Sequence, residues 1–108
     1  MLISRSDSIA ANSRSANVLQ GEQFEFVPKH NATINFRASG AAVGLRADFQ
    51  IGSQTVMGNA AVPGTNRFPV IPDDHLATFG ANRSERLFLT YTNTTGAAII
   101  VNTVIEIL

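Results

Sequence analysis

Arg86-Leu-Phe-Leu-Thr-Tyr-Thr-Asn93, Thr94-Thr95-Gly96 and Ala97-Ala-Ile-Ile-Val-Asn-Thr-Val-Ile-Glu-Ile-Leu108 are the stretch whose reading decides the fold. Its odd positions, Leu87, Leu89, Tyr91, Ile99, Val101, Thr103, Ile105 and Ile107, form a nearly continuous apolar face. That period of two is the signature of strands with one buried side. Two long strands around a tight turn, running to the end of the chain, predict an all-β domain. Paired as a hairpin, they set Tyr91 against Ile99, Leu89 against Val101 and Leu87 against Thr103. This register leaves Thr94-Thr95-Gly96 as a three-residue loop with glycine at the left-handed bulge position. The even face carries Phe88, Ile100, Val104 and Leu108 among Arg86, Thr90, Thr92, Asn102 and Glu106. It is too apolar for plain surface and predicts a covering arm, loop or partner.

Upstream, alternation continues in shorter pieces. Phe24 and Phe26 flank Glu25 and stop at Pro28, which predicts a short strand. Ala32, Ile34, Phe36 and Ala38 alternate with Thr33, Asn35 and Arg37, and Ser39-Gly40 ends that run. Leu45, Ala47, Phe49 and Ile51 alternate with Arg46, Asp48 and Gln50. Gly52-Ser53 suits a two-residue type II′ turn, after which Gln54 to Met57 return with Val56 opposite Phe49. The prolines of residues 58–72 allow at most an edge strand at Phe68 to Ile71, and Leu76 to Phe79 form another short strand. No helix longer than one turn and no internal repeat is predicted. Many short antiparallel strands predict a two-sheet sandwich, jelly-roll-like, ahead of an immunoglobulin-like sandwich or small barrel.

Residues 1–20 have a different texture. Ser4, Ser6, Ser8, Ser13 and Ser15 are interleaved with Arg5, Asp7, Asn12, Arg14 and alanines, with Leu2, Ile3, Ile9, Val18 and Leu19 as apolar anchors. They read either as disordered in isolation or as an extended N-terminal arm that orders only against a neighbouring subunit, with residues 21–108 as the β-sandwich domain. On that reading, deleting residues 1–18 leaves the domain folded.

The 108 residues suit one domain, long enough to bury roughly two-thirds of its unfolded surface. With no cysteine, neither disulfides nor thiolate metal sites contribute. A net charge of zero argues against nucleic-acid binding driven by phosphate neutralisation. No apolar run reaches the roughly 18 residues of a helical membrane span. No apolar segment follows Arg5 to make a secretory signal.

Groups that carry chemistry are few. Asp73-Asp74-His75 is the strongest polar cluster. A metal or acid–base reading needs further groups converging on it, whereas turn capping by the two aspartates needs none. His30 stands alone after Lys29. Neither a Gly-x-Ser-x-Gly elbow nor a phosphate-binding glycine loop occurs. No catalytic residue, metal site or cofactor is expected. Asn31-Ala-Thr33, Asn82-Arg-Ser84 and Asn93-Thr-Thr95 match the glycosylation pattern in expected loops, where nine asparagines and a Ser/Thr content of about one in six predict between one and two matches by chance. Seven of the eight basic residues are arginine, which interfaces favour over lysine. Arg5 and Arg14 in the arm, and Arg67, Arg83 and Arg86 near loops, are candidates for such contacts.

The Ser/Ala-rich arm before Gly21, the run of short strands and the Thr/Asn-rich hairpin Leu87–Ile107 together resemble the jelly-roll cement (decoration) proteins of tailed double-stranded DNA phage capsids. The resemblance spans the chain and rests on layout, with no diagnostic motif. It implies a structural virion protein without enzymatic activity, bound to the outer capsid surface. Its partners would be the major capsid protein and itself, as a homodimer or homotrimer, and neither nucleic acid nor a membrane. Candidate interface residues are Arg5, Ile9, Arg14, Arg86, Phe88, Ile100, Val104 and Leu108. The rival expectation is a receptor- or carbohydrate-binding module of a phage tail or spike. A third is a small metal protein or enzyme using Asp73, Asp74 and His75.

Overall fold

The computed structural model describes residues 2–64 and 77–108. Eight strands and no helix lie among them: β1 (Leu2–Ile9), β2 (Ser13–Arg14), β3 (Ala32–Gly40), β4 (Leu45–Ile51), β5 (Gln54–Ala61), β6 (Ala77–Ala81), β7 (Leu87–Asn93) and β8 (Ile99–Ile107). They form two antiparallel four-stranded sheets, ordered β1-β8-β3-β6 and β2-β7-β4-β5. This interleaving of two Greek keys is the jelly-roll order. The expected all-β, two-sheet sandwich is therefore present.

Strands β7 and β8 do not pair with each other. β7 lies between β2 and β4, and β8 lies between β1 and β3 in the other sheet. Leu87, Leu89 and Tyr91 are opposite Ile51, Phe49 and Ala47, while Ile99, Val101 and Thr103 are opposite Ile9, Asp7 and Arg5. The expected hairpin register is thus corrected to a crossing between sheets. Its odd positions still point inward from both sides, because a strand's period reports which face is buried and not which strand is its neighbour. The even positions diverge. Phe88 lies on the outer face of one sheet, and Ile100, Val104 and Leu108 belong to the outer side of the other. The single greasy face expected from the sequence does not exist.

The Asn93 side chain fixes the crossing. It is 1% exposed, donates through Nδ2 to Ile9 O (3.1 Å) and Ala97 O (2.8 Å), and accepts through Oδ1 from Thr95 N (2.9 Å) and Thr95 Oγ1 (2.7 Å). An amide bonded in this way turns the chain from one sheet to the other. It is committed to the fold, unlike the exposed Asn31 and Asn82 of the other two glycosylation-like matches.

The segment at the N-terminus is extended as expected, but it orders against its own chain and supplies β1 to one sheet and β2 to the other. Residues 2–9 pair with β8 without interruption from Leu2↔Glu106 to Ile9↔Ile99, and Ile3 and Ile9 are each 2% exposed. Residues 12–18 then follow β7, with hydrogen bonds from Asn12 N to Thr95 O, Ser15 N to Tyr91 O and Val18 N to Leu89 O. The expected strand at Phe24–Phe26 shrinks to one bridge, Phe26↔Arg86. Turn hydrogen bonds from Gln20 N to Asn17 O, Glu22 N to Leu19 O and Glu25 N to Glu22 O coil the preceding residues away from the ladder.

The β4–β5 hairpin forms as expected around Gly52, whose φ of 62° suits the first position of a II′ turn. Its register shifts beyond the turn, so Phe49 meets Met57 and not Val56. Asn59, at φ 50°, turns its amide to the Asp48 carboxylate (2.8 Å) and breaks the ladder there. Strand β5 continues through Gly58 to Ala61, beyond the expected end, and β6 covers the expected Leu76–Phe79 region from Ala77 onward. The expected edge strand at Phe68–Ile71, and Arg67, Asp73, Asp74 and His75, lie outside the described residues.

The core is aromatic at its centre. Phe36 of one sheet meets Phe49 of the other edge-on at 5.3 Å, and Phe79 approaches Phe49 at 5.7 Å. The sheets are also joined by a polar contact, the Tyr91 hydroxyl to Thr103 Oγ1 at 2.7 Å, with both residues fully buried. Burial first, and the Asp7 charge after it, hold the phenol well above its ordinary value near 10, with the Thr103 hydrogen bond opposing them. The fold favours the neutral phenol. This stability is complete below the unfolded chain's pKa of about 10 and is lost as pH rises above it. Tyr91 is the only tyrosine and there is no tryptophan, so phenolate absorbance reports this one group. On alkaline titration it is expected to appear only together with loss of the β-sheet circular dichroism signal. In Tyr91→Phe this alkaline fall in stability should disappear. Phenolate absorbance from a chain that remains folded would refute the burial.

Candidate functional site

The residues proposed as contacts from sequence are dispersed. Ile9 and Val104 are 2% and 5% exposed. Arg5 points inward from β1, where it grips Asp7 through two 2.8 Å hydrogen bonds and Glu22 through a third. Charges turned inward at a sheet edge deter pairing with foreign strands. Arg86 donates to Glu25 Oε2 at 2.6 Å and lies over the Phe88 ring at 5.4 Å. Glu25 is held below the usual carboxylate range first by the Gly21 amide and then by Arg86. Arg14 hydrogen-bonds Thr90 Oγ1 at 3.0 Å and approaches Asp48 at 3.7 Å, yet stays largely exposed. Ile100 and Leu108 are 52% and 54% exposed, near opposite ends of β8. These residues form no common surface.

One end of the sandwich does present a common surface. Four connections meet there: residues 10–12, 41–44, 62–64 and 94–98. Asn12 N donates to Thr95 O (3.0 Å), Thr94 N and Oγ1 both donate to Gly44 O (3.1 and 2.8 Å), and Gly40 N donates to Pro63 O (2.8 Å). Ala41 N donates to Ile100 O at 2.8 Å, which brings the start of β8 into the same cluster. Gly44 sits at φ 116°, and a Cβ there would strike the Thr95 methyl, so the loops meet at a point only glycine fits. The tip is tied in place by its own backbone.

The described residues of the tip carry no charge. Ala10, Ala41, Ala42, Val43, Pro63, Ala97, Ala98 and Ile100 are exposed there, Val43 to 75%, and none of the described tip residues is ionisable. Behind it, on the outer face of one sheet, Arg14 and Arg46 flank Thr92 from either side. This is an apolar centre with a basic margin. Alanine, glycine and proline lose almost no rotamer freedom when covered, so such a surface docks at small entropic cost. Among the described residues, the ionisable groups near the tip supply charge and no nucleophile–base pair. Among the described residues no group of three metal-ligating side chains converges. Sequence reading singled out Ile100 and Arg14 but missed the tip as a unit. Its signal was available: the spans 8–13, 38–45, 49–64 and 87–105 contain no charge.

No protein-family model matches this chain, and neither a curated protein nor a solved structure matches it.

Proposed function

We propose that this protein is a structural virion component, a cement or decoration protein that binds the major capsid protein on the outer surface of the shell. The observation that carries the reading is the tip: a preorganised surface at one pole of a stiff β sandwich, uncharged among its described residues and bordered by Arg14 and Arg46. Such a surface suits protein contact, in which an apolar centre is desolvated and a charged rim sets orientation. The complementary partner is an uncharged loop surface flanked by carboxylates. Repetition of that contact over a shell, or through a dimer or trimer of this chain, turns modest contacts into firm attachment. The jelly-roll order agrees with the resemblance drawn from the sequence.

The test is addition of the purified protein to undecorated, expanded capsids of the source virus, read by co-sedimentation and by the temperature of capsid rupture. Co-sedimentation and a raised rupture temperature are expected. Absence of binding overturns the reading. Val43→Glu, which places a carboxylate on the tip at a side chain free of packing duties, is expected to keep the native melting profile. It should weaken capsid binding roughly tenfold or more, because an unpaired charge must be desolvated.

A further inference from the structure

At the end of the sandwich opposite the uncharged tip lies a cleft of about 340 Å³, walled by both sheets. Ile51, Gln54 and Val56 come from the β4–β5 hairpin, Gly80, Ala81, Asn82 and Glu85 from β6 and the loop after it, and Asn31 from the entry to β3. The volume is at the small end of the roughly 300–1,000 Å³ typical of ligand pockets. Its loops are internally braced. Asn31 N donates to Asn82 Oδ1 (3.2 Å), and Asn82 N donates to Glu85 Oε1 (2.7 Å). Asn31 and Ser84 are held in left-handed backbone at φ 51° and 70°, a strain that the bracing sustains.

This bracing uses one acceptor each from Asn82 and Glu85. Asn82 Nδ2, Glu85 Oε2 and the side-chain amides of Asn31 and Gln54 make no further hydrogen bond among the described residues. They surround a floor of Ile51, Val56 and Ala81. Three neutral amides offer donors and acceptors together, which is what a hydroxyl group asks of its surroundings. The one carboxylate among the described lining residues accepts from hydroxyls and repels anions, and none of those residues is a cation that would bind phosphate or a sugar acid. One carboxylate among neutral groups also falls short of the oxygen cage a calcium ion needs.

We infer that the cleft formed by Asn31, Gln54, Asn82 and Glu85 over Ile51 and Val56 is a binding site for a small neutral polyhydroxylated ligand, a mono- or disaccharide unit. It faces away from the tip, so occupancy is compatible with attachment there and independent of it. The site would accept a free sugar or the end of a surface polysaccharide.

The test is an amide NMR titration of the full chain with glucose, galactose, mannose and N-acetylglucosamine, with glucuronate as the charged counterpart. At least one neutral sugar is expected to give saturable shifts confined to residues near 31, 51–56 and 80–85, in the millimolar range. Gln54→Ala removes an exposed amide that braces nothing and should weaken binding about fivefold, the value of one hydrogen bond. Glu85→Gln keeps an acceptor for Asn82 N and should admit glucuronate, which the native cleft rejects. Saturation by a disaccharide but not by its monosaccharides would assign the site to a polysaccharide end. The inference is overturned if no neutral sugar gives saturable shifts up to roughly 50 mM, well beyond a millimolar dissociation constant. Shifts outside the cleft, indifference to Gln54→Ala, or equal binding of glucuronate and glucose also overturn it.

Discussion

Removal of residues 1–18 is expected to unfold this protein, not to trim an appendage from it. The deletion takes away all of β1, and with it the buried side chains of Ile3 and Ile9. Truncating a buried isoleucine to alanine costs about 2–5 kcal/mol, so the two together approach the roughly 5–15 kcal/mol that holds a whole domain. The deletion also strips one edge from β8 and removes the Asn12, Ser15 and Val18 amides bound along β7. The truncated chain should lose its cooperative thermal transition and the dispersion of its amide NMR spectrum. The single variants Ile3→Ala and Ile9→Ala should remain folded, each less stable by about 2–5 kcal/mol in chemical denaturation. A truncated chain melting within a few degrees of the full one would show that β1 contributes nothing to the core.

Asn93→Ala is the second large effect. The variant loses four hydrogen bonds at once and takes a donor from the Ile9 carbonyl in a buried setting, while the exposed Ala97 carbonyl keeps Thr95 Oγ1. Net hydrogen bonds of about 1 kcal/mol each, with a further penalty at the Ile9 carbonyl, put the loss at about 3–5 kcal/mol. Asn93→Asp separates geometry from shape. It keeps acceptors for Thr95 but replaces the donor with an oxygen facing two carbonyls. The fold then favours the protonated acid, so the carboxyl's folded pKa lies above its unfolded value of about 3.9. Native-like stability should be partly regained below that value and lost as pH rises through the raised one. Denaturation at both ends of this range measures it. An Asn93→Ala variant within about 0.5 kcal/mol of the native chain would remove the side chain from its role at the crossing.

These two positions mark where the sequence was readable and where it was not. Burial was legible. Ile34, Phe36, Ala47, Phe49, Leu89 and Ile105 are inward because alternation answers to a sheet's face whatever lies beside it. The Gly52 turn was legible because its demand is local. Strand partners were not, since β7 and β8 satisfy the same parity in a hairpin or across a core. The one residue that distinguishes the two, Asn93, looked like an ordinary turn asparagine. Strand β1 escaped notice for a different reason. Arg5 and Asp7 occupy inward positions and spoil the apolar period; they pair with each other, and Glu22, brought near by the fold, completes the pairing. The uncharged tip shared that obscurity. Two of its loops pass for simple turns, a third for part of a longer connection and a fourth for part of the arm, until the fold ties them together. Arg86, offered as a contact, turned out to be held by Glu25, and Arg5 by Glu22 as well as by its strand neighbour Asp7; sequence spacing places neither glutamate beside its arginine.

The order of the sheets also governs how the chain reaches its native state. Among the described strands, β4 and β5 alone are joined by a hairpin, and every other consecutive pair is split between sheets. Leu2 must find Glu106 across nearly the whole chain before the first strand has a partner. Closing such distances costs entropy before any contact repays it, and topologies of this kind fold over milliseconds to seconds, where locally connected ones take microseconds. During synthesis β4 and β5 can pair early, whereas the central position between β1 and β3 stays empty until β8 emerges. β1 waits for β8.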